Sequence, residues 1–469
     1  MLAWSAGQVT AQHGEESQNM RLLAPNDLQA RSAYQPIVHK QGSRWIAYVG
    51  HHGGEAFNPL TGVVERNGTS VVDVTDPGLP VYLKHIPGPP GVGEAGGAQM
   101  VRACNGSDLP KGDPAKVYLL RATANSHEVY DTTDPANPSL VRTVVGNLGG
   151  THKNWWECDT GIAYLVSDGR TLEDANPPSP NWRTDRMTQI FDLSDPANPV
   201  FLRNYGLVGQ EPGSTGPVPT GVHGPISLGP AGNRVYFGHG TGSNGILQIV
   251  DREKLLTGPF NPTEPTPEDL LAPQIGRLDT SPSMGAHTVF PVLGMDVFPK
   301  NAQGRFRDII VLVNEAGGNN ADNVCPGNRQ LVYMVDVTIA SGSESKPMGV
   351  ANFQVPEASG NFCDRGGRFG SHASHESFTE IYYKKIMFFS WFNAGVRAVD
   401  IRDPWSPKEV GFFIPATTKN TDPRDGQIAI QTNNVEVDDR GFIYIVDRAN
   451  TGLHILELTG EARKIANLP

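Results

Sequence analysis

The chain has 469 residues, of which 38% are hydrophobic, and a formal net charge of −11. That apolar content can bury a large core, and the negative charge disfavours binding to nucleic-acid phosphates. No run reaches the roughly 18 apolar residues that predict a membrane span, so we expect a small-molecule substrate or protein partners.

Residues 1–29 are predicted to form an N-terminal arm. Its first residues, MLAWSAGQVTAQHGE, are interpreted as the tail of a trimmed export signal cleaved after residues 9–11, although a basic start and a long apolar centre are missing. We therefore expect a periplasmic or secreted protein.

The four cysteines, Cys104, Cys158, Cys325 and Cys363, have no CxxC spacing, which argues against a thiolate zinc site. Two disulfides in an exported protein and four inert thiols both fit this pattern. A Cys325–Cys363 bridge is favoured because both residues lie in Gly/Asn-rich stretches.

From residue 30 onward one phrase recurs. The clear copies are TSVVDVTDPGLPVYLKHI (69–86), HEVYDTTDPANPSLVRTV (127–144), TQIFDLSDPANPVFLRNY (188–205) and VRAVDIRDPWSPKEVGFF (396–413), with looser copies starting at residues 246, 331 and 453. Each begins with alternating apolar residues, which is typical of a strand with one buried face. Each then breaks at Asp-Pro-x-x-Pro, which favours a turn between antiparallel strands.

Another short β-rich run precedes every copy, so each unit has three or four strands. Seven such units of about 45 to 75 residues predict an all-β fold, a seven-bladed β-propeller of antiparallel blades over residues 30–469. Separate β-sandwiches are the alternative, and the lack of any linker between units disfavours them.

The VxxVDVTDPxxP phrase resembles the LVIVD repeat, which is found in surface or exported propeller-like proteins. The resemblance covers nearly the whole chain. It implies the fold rather than an activity, because many members of that family have no assigned function.

Histidines recur at one register of these units. His152 lies 12 residues before Tyr164, and His223 lies 13 before Tyr236. His375 lies 12 before Met387, with His372 as the competing residue, and His287 occupies the same place in GAHT. Equivalent positions in the other units are Gln99, Pro36 or its neighbours, and Asn433 or Asn434.

Innermost strands of a propeller line a central channel, so four consecutive units would place one imidazole each at its mouth. A single histidine at a strand start is more often structural. Four at one depth predict a site for one transition metal ion, with copper or iron favoured and manganese or zinc as alternatives.

The ends of the second strands border the same mouth and carry polar residues. We expect Glu315, Asp168 and Glu376 to orient the imidazoles, and Arg121 and Arg448 to hold an anionic group. The candidate bases are His51, His52 and His239.

This predicted site is similar to those of two propeller groups, the carotenoid-cleaving oxygenases with iron and the selenium-binding methanethiol oxidases with copper. The pectin-type propeller lyases, with manganese, are a third likeness. The similarity is one of architecture and ligand type, because none matches by overall sequence.

The leading hypothesis is an exported metal-dependent oxidoreductase or oxygenase that acts on a small organic substrate, aromatic or sulfur-containing. One alternative is a metal-dependent lyase or hydrolase at the same site. The other alternative is a non-catalytic surface binding module, which would hold no stoichiometric metal.

Overall fold

The computed structural model describes residues 13–175, 178, 181–297, 305–315, 331–343, 345–424 and 427–468. Antiparallel strands that alternate with tight turns are the main secondary structure of these residues. The largest sheet has eight strands: Ala33–Gln41, Arg44–Gly53, Gly68–Asp73, Val81–Pro87, Gly93–Asn105, Val117–Thr123, His127–Asp131 and Ser139–Val145.

Five sheets of four strands complete the framework of the described residues. The first three are Thr151–Trp156, Ile162–Ser167, Met187–Asp192 and Val200–Tyr205; then Val222–Ser227, Arg234–His239, Ile246–Asp251 and Gln274–Asp279; then Thr288–Asp296, Phe306–Val313, Val332–Asp336 and Met348–Phe353. The last two are Ile386–Ser390, Val396–Asp400 and Lys408–Ile414 with Glu16–Gln18; and Thr432–Val437, Ile443–Asp447 and Leu453–Leu458 with Met20–Asn26.

The remaining elements of the described ranges are short. Two hairpins pair Glu55–Asn58 with Val63–Arg66 and Pro423–Arg424 with Gln427–Ile428. The α-helices are Gly229–Gly232, Arg252–Thr257, Pro267–Leu271 and Gly460–Ile465, and the 3-10 helices are Leu28–Ala30, Gly169–Thr171, Glu357–Ser359 and Phe362–Asp364. None of these helices has the length and apolar character needed to cross a bilayer.

The sheets are arranged as a β-propeller. The first strand of a unit contacts the first strands of its neighbours, as Ala33–Gln41 does with Gly93–Asn105 and with Thr432–Val437. First strands therefore surround the axis. Dividing the eight-stranded sheet where Arg44–Gly53 meets Gly93–Asn105 would give seven units, and the blade count of seven stays a prediction.

The Asp-Pro-x-x-Pro phrase forms the predicted turns. The Asp195 carboxylate accepts a hydrogen bond of 3.0 Å from the amide of Ala197, and the Asn198 amide donates to the Asp195 carbonyl at 3.1 Å. Asp134 makes the same pair of bonds to Ala136 and Asn137. The aspartate thus satisfies backbone donors while the proline fixes the turn.

The structure corrects the predicted N-terminal arm. Within residues 1–29, Glu16–Gln18 pairs with Lys408–Ile414, and Met20–Asn26 pairs with Leu453–Leu458. These two strands complete the last two sheets, so they belong to the propeller rather than lying outside it. Residues 1–12, with the interpreted cleavage site, lie outside the described residues.

A disulfide joins Cys104 to Cys158, with their Cα atoms 5.5 Å apart. It links the strand Gly93–Asn105 to the segment after Thr151–Trp156, and so ties two neighbouring units near the axis. Cys363 is also disulfide-bonded, whereas Cys325, its predicted partner, lies outside the described residues.

Candidate metal centre

β-Bulges at one register of the innermost strands aim side chains into the channel. In the pairing of Thr151–Trp156 with Ile162–Ser167, Thr151 faces Ser167 and Asn154 faces Leu165. The two residues His152 and Lys153 therefore lie opposite the single residue Val166. An extra residue bends a strand and redirects its side chains. Corresponding bulges contain these residues: Tyr34 and Gln35, Gln99, His152 and Lys153, His223, and Asn433.

Two further histidines reach the same level from less regular segments. His287 directly precedes the strand Thr288–Asp296, and its amide donates to the Val313 carbonyl at 2.8 Å. His372 lies on a segment that pairs with Ile386–Ser390 through one isolated bridge, and its amide donates to the Ser390 carbonyl at 3.0 Å.

His152, His223, His287 and His372, which we call the histidine ring, are in contact with one another. The ring centroids lie 4.6 Å apart between His152 and His223 and 3.5 Å apart between His223 and His287. The centroid distance between His287 and His372 is 4.4 Å. Histidines distant in sequence thus share one small volume, which is what a multi-histidine metal site requires.

The histidine ring is neutral. Each of its four side chains is almost completely buried, and burial lowers all four pKa values well below the usual 6.5. Neighbouring cations lower these pKa values further, including Arg186 for His152 and Arg448 for His372. Neutral imidazole is the form that binds metal ions.

Several nitrogens of the histidine ring have no hydrogen-bond partner among the described residues. They are Nδ1 of His152, both nitrogens of His223 and Nε2 of His287. An unsatisfied buried polar atom costs about 1–3 kcal/mol, so four such atoms represent a large penalty in a metal-free protein. A bound ion would take up the lone pairs among them.

Glu315 adds a carboxylate to the histidine ring. The candidate ligand atoms of His287, Glu315 and His372 all lie within 4.8 Å of one another. Glu315 Oε1 is 3.9 Å from His372 Nε2 and accepts a hydrogen bond of 3.0 Å from Arg368 Nη1. The other nitrogen of His372 contacts the Asn433 carbonyl at 2.6 Å, which fixes the orientation of this imidazole.

Tyr34 closes the remaining side of the histidine ring. Its aromatic ring lies 5.7 Å from that of His152 and 5.9 Å from that of His372, centroid to centroid. Its hydroxyl oxygen is 3.2 Å from His152 Nε2. Burial raises the pKa of the Tyr34 phenol well above its usual range, so the phenol is neutral without metal.

A cluster of charged side chains lies next to the histidine ring along the axis. We call Arg102, Lys153, Glu376 and Glu436 the charged layer. Lys153 Nζ and Arg102 Nη2 both bond to the Glu376 carboxylate. Glu436 accepts a hydrogen bond of 2.9 Å from the Val437 amide, and burial raises the pKa of Glu436 to about 7.

The space for the charged layer comes partly from a glycine. Gly224 follows His223, and a Cβ at Gly224 would collide with the Lys153 side chain. The sequence His-Gly therefore places an imidazole in the histidine ring and leaves room for the neighbouring lysine.

A cavity of about 220 Å³ is lined in part by His52, whose ring contacts that of Tyr34. Its lining includes Ser32, His52, Asn67 and Arg448. The His52 ring is 4.9 Å from the Tyr34 ring, and Arg448 Nη2 is 3.4 Å from His52 Nε2. Burial and the neighbouring Arg368 lower the pKa of Arg448 to about 10, so this arginine remains a cation near the site.

His375, expected as a ligand, lies outside the histidine ring. Its ring contacts Phe290 at 5.5 Å and Phe388 at 5.7 Å, and its Nδ1 accepts a hydrogen bond of 3.2 Å from the Phe388 amide. The competing candidate, His372, is the one in the ring. The spacing is misleading because residues 372–375 do not form a regular strand.

Two of the three carboxylates expected beside the imidazoles have other partners. Glu376 belongs to the charged layer, where cations hold it. Asp168 caps the helix Gly169–Thr171 by accepting from the Arg170 amide at 2.9 Å. Of the three, Glu315 is the one near the ring.

Three residues expected to act on the substrate have structural contacts instead. Arg121 bonds to Glu128 at 2.9 Å and to the Ile86 carbonyl at 3.1 Å. The remaining contacts are His51 Nε2 with Ser70 Oγ at 2.6 Å and His239 Nε2 with Gln248 Oε1 at 3.2 Å. Of the residues proposed to handle the substrate, Arg448 and the candidate base His52 line the cavity.

Sequence reasoning missed Tyr34, Lys153 and Arg368. Tyr34 and Lys153 each share a bulge with another inward-facing residue, whereas strand alternation predicts that consecutive residues face opposite sides. Two consecutive large polar side chains at a strand start, Tyr34-Gln35 and His152-Lys153, are the sequence signal that could have indicated these bulges.

No protein-family model matches the chain, and no curated protein matches it significantly. Among solved structures, the crystal structure of the β-propeller domain of Cps50 (Swd1) from Myceliophteria thermophila is similar, with a TM-score of 0.51 and 10% sequence identity. The match covers 94% of this chain and 100% of that one. At this identity the similarity shows the β-propeller fold alone.

Proposed function

We propose that this chain is an exported metal-dependent oxidoreductase with one copper or iron ion bound in the histidine ring. The observation that carries the proposal is the contact of four neutral, buried imidazoles whose nitrogens include four without a hydrogen-bond partner among the described residues. Buried polar atoms are rarely left unpaired without a functional reason.

The ligand types favour a redox metal. Imidazole suits copper and iron, and two histidines with one carboxylate are typical of non-haem iron(II) oxygenases. His287, His372 and Glu315 offer that combination, with His152 and His223 beside it. The resemblance that the sequence suggests to the histidine sites of carotenoid-cleaving oxygenases and selenium-binding methanethiol oxidases supports the same choice of metal.

The substrate would be a small organic molecule, aromatic or sulfur-containing, that enters through the cavity lined by His52 and Arg448. The charged layer closes the axis next to the ring with salt-bridged side chains, which favours entry from the cavity side. The Cys104–Cys158 disulfide supports export, because disulfides persist in oxidising compartments. The resemblance of the repeat to the LVIVD family supports export as well.

The first test is the metal content of protein purified without added metal. We expect about one copper or iron ion per chain, lost in His223→Ala and retained in His375→Ala. Oxygen consumption with a panel of small aromatic and sulfur compounds then tests the reaction class. Stoichiometric manganese or zinc would instead favour a lyase or hydrolase.

A metal-free result would overturn the proposal. If the protein holds less than about one ion per ten chains, and loading with copper, iron or manganese does not change this, the histidine ring is not a metal site. The chain would then be a surface binding module.

A further inference from the structure

Tyr34 is built into the histidine ring as closely as the histidines themselves. Its side chain is 2% exposed and contacts the rings of His52, His152 and His372. Asn433 Nδ2 donates a hydrogen bond of 3.0 Å to the Tyr34 carbonyl, which holds the bulge that carries this residue. The phenol is therefore fixed in position before any ligand binds.

The position of the phenol oxygen fits a shared coordination sphere. Two atoms bound to one ion at about 2.0–2.1 Å, with an angle between 90° and 109° at the metal, lie about 2.9–3.4 Å apart. Tyr34 Oη and His152 Nε2 are 3.2 Å apart. The same distance allows a hydrogen bond in the metal-free protein, so one geometry serves both states.

The charge of the site also favours an anionic oxygen ligand. The four imidazoles are neutral, and the Glu315 carboxylate is paired with Arg368. Arg448 lies near His372 and adds positive charge. An ion with two or three positive charges would thus be poorly neutralised by the histidine ring alone.

We infer that Tyr34 Oη is a direct ligand of the bound ion, as a phenolate that stabilises its oxidised state, Fe(III) or Cu(II). The inference rests on the proposed function. On binding, the phenol O–H bond breaks, an oxygen–metal bond forms, and the proton is released to solvent. The alternative role for Tyr34 is to orient His152 through a hydrogen bond, without touching the metal.

The test is the visible absorption spectrum of protein loaded with Cu(II) or Fe(III), with metal content measured on the same samples. A coordinated phenolate gives a phenolate-to-metal charge-transfer band, which histidine and carboxylate ligands do not give. We expect this band in the unmodified protein and its loss in Tyr34→Phe. The matched control is Tyr48→Phe, because Tyr48 is equally buried but bonds to Gln41 at 2.9 Å.

Resonance Raman spectra of the unmodified protein provide a second measurement that needs no variant, in case Tyr34→Phe does not fold. Vibrations of a coordinated tyrosinate support the inference. One ion per chain with no such band, or with a band that Tyr34→Phe leaves unchanged, overturns the inference and leaves the proposed function intact. Absence of bound metal overturns both.

Discussion

Replacing His223 with leucine is expected to stabilise the metal-free protein while abolishing metal binding. The His223 side chain is 1% exposed, and neither of its ring nitrogens has a partner among the described residues. Each unsatisfied atom costs about 1–3 kcal/mol, so two atoms cost about 2–6 kcal/mol. Imperfect packing of leucine between His152 and His287 costs about 1–2 kcal/mol. The free energy of unfolding of the metal-free protein should therefore increase by about 2 kcal/mol.

The assay is denaturant unfolding near neutral pH in the presence of a chelator. The matched control is His375→Leu, because His375 is equally buried but accepts a hydrogen bond from the Phe388 amide. Losing that bond is expected to destabilise the protein by about 1 kcal/mol. If His223→Leu lowers the free energy of unfolding as much as the control does, the reasoning about unsatisfied nitrogens is wrong.

Three further predictions concern other parts of the chain. Glu376→Gln leaves the two cations of the charged layer without their carboxylate, and should lower the free energy of unfolding by about 3–5 kcal/mol; a loss below about 1 kcal/mol would contradict this. Asp168→Ala removes a helix cap and should cost about 1 kcal/mol with metal content unchanged, whereas loss of metal would show a role at the site. Burial lowers the pKa of His239 and His375 from 6.5 to about 3, so both stay neutral when folded and gain protons when unfolded. The free energy of unfolding should therefore decrease as the pH is lowered, by about 2 kcal/mol per residue between pH 6.5 and 4.5. Denaturation curves that do not shift over this range would refute the prediction.

The fold could be predicted because it is encoded locally and repeatedly. Alternating apolar residues followed by Asp-Pro-x-x-Pro indicate a strand and a turn without reference to distant contacts, and the hydrogen bonds of Asp134 and Asp195 show this turn. The pairing of Met20–Asn26 with Leu453–Leu458 was missed, because a pairing between distant segments leaves no local pattern.

The candidate site was predictable where the register is regular. His152 and His223 were identified by their spacing from the second strand, and both lie in the histidine ring. The spacing to Met387 favoured His375 over His372 because it assumes a regular strand, whereas residues 372–375 make one isolated bridge. Tyr34 was missed because a bulge, which sequence alternation does not reveal, turns it inward.

The early strands Glu16–Gln18 and Met20–Asn26 have a consequence for biosynthesis. Arg21 bonds to Glu457, 436 positions later in the chain. At about 5–20 residues per second, the ribosome needs tens of seconds to make that partner. During this time the nascent chain carries two β-segments without their partner strands. Chaperone binding to residues 16–26 is therefore most needed before Lys408–Ile414 and Leu453–Leu458 are made.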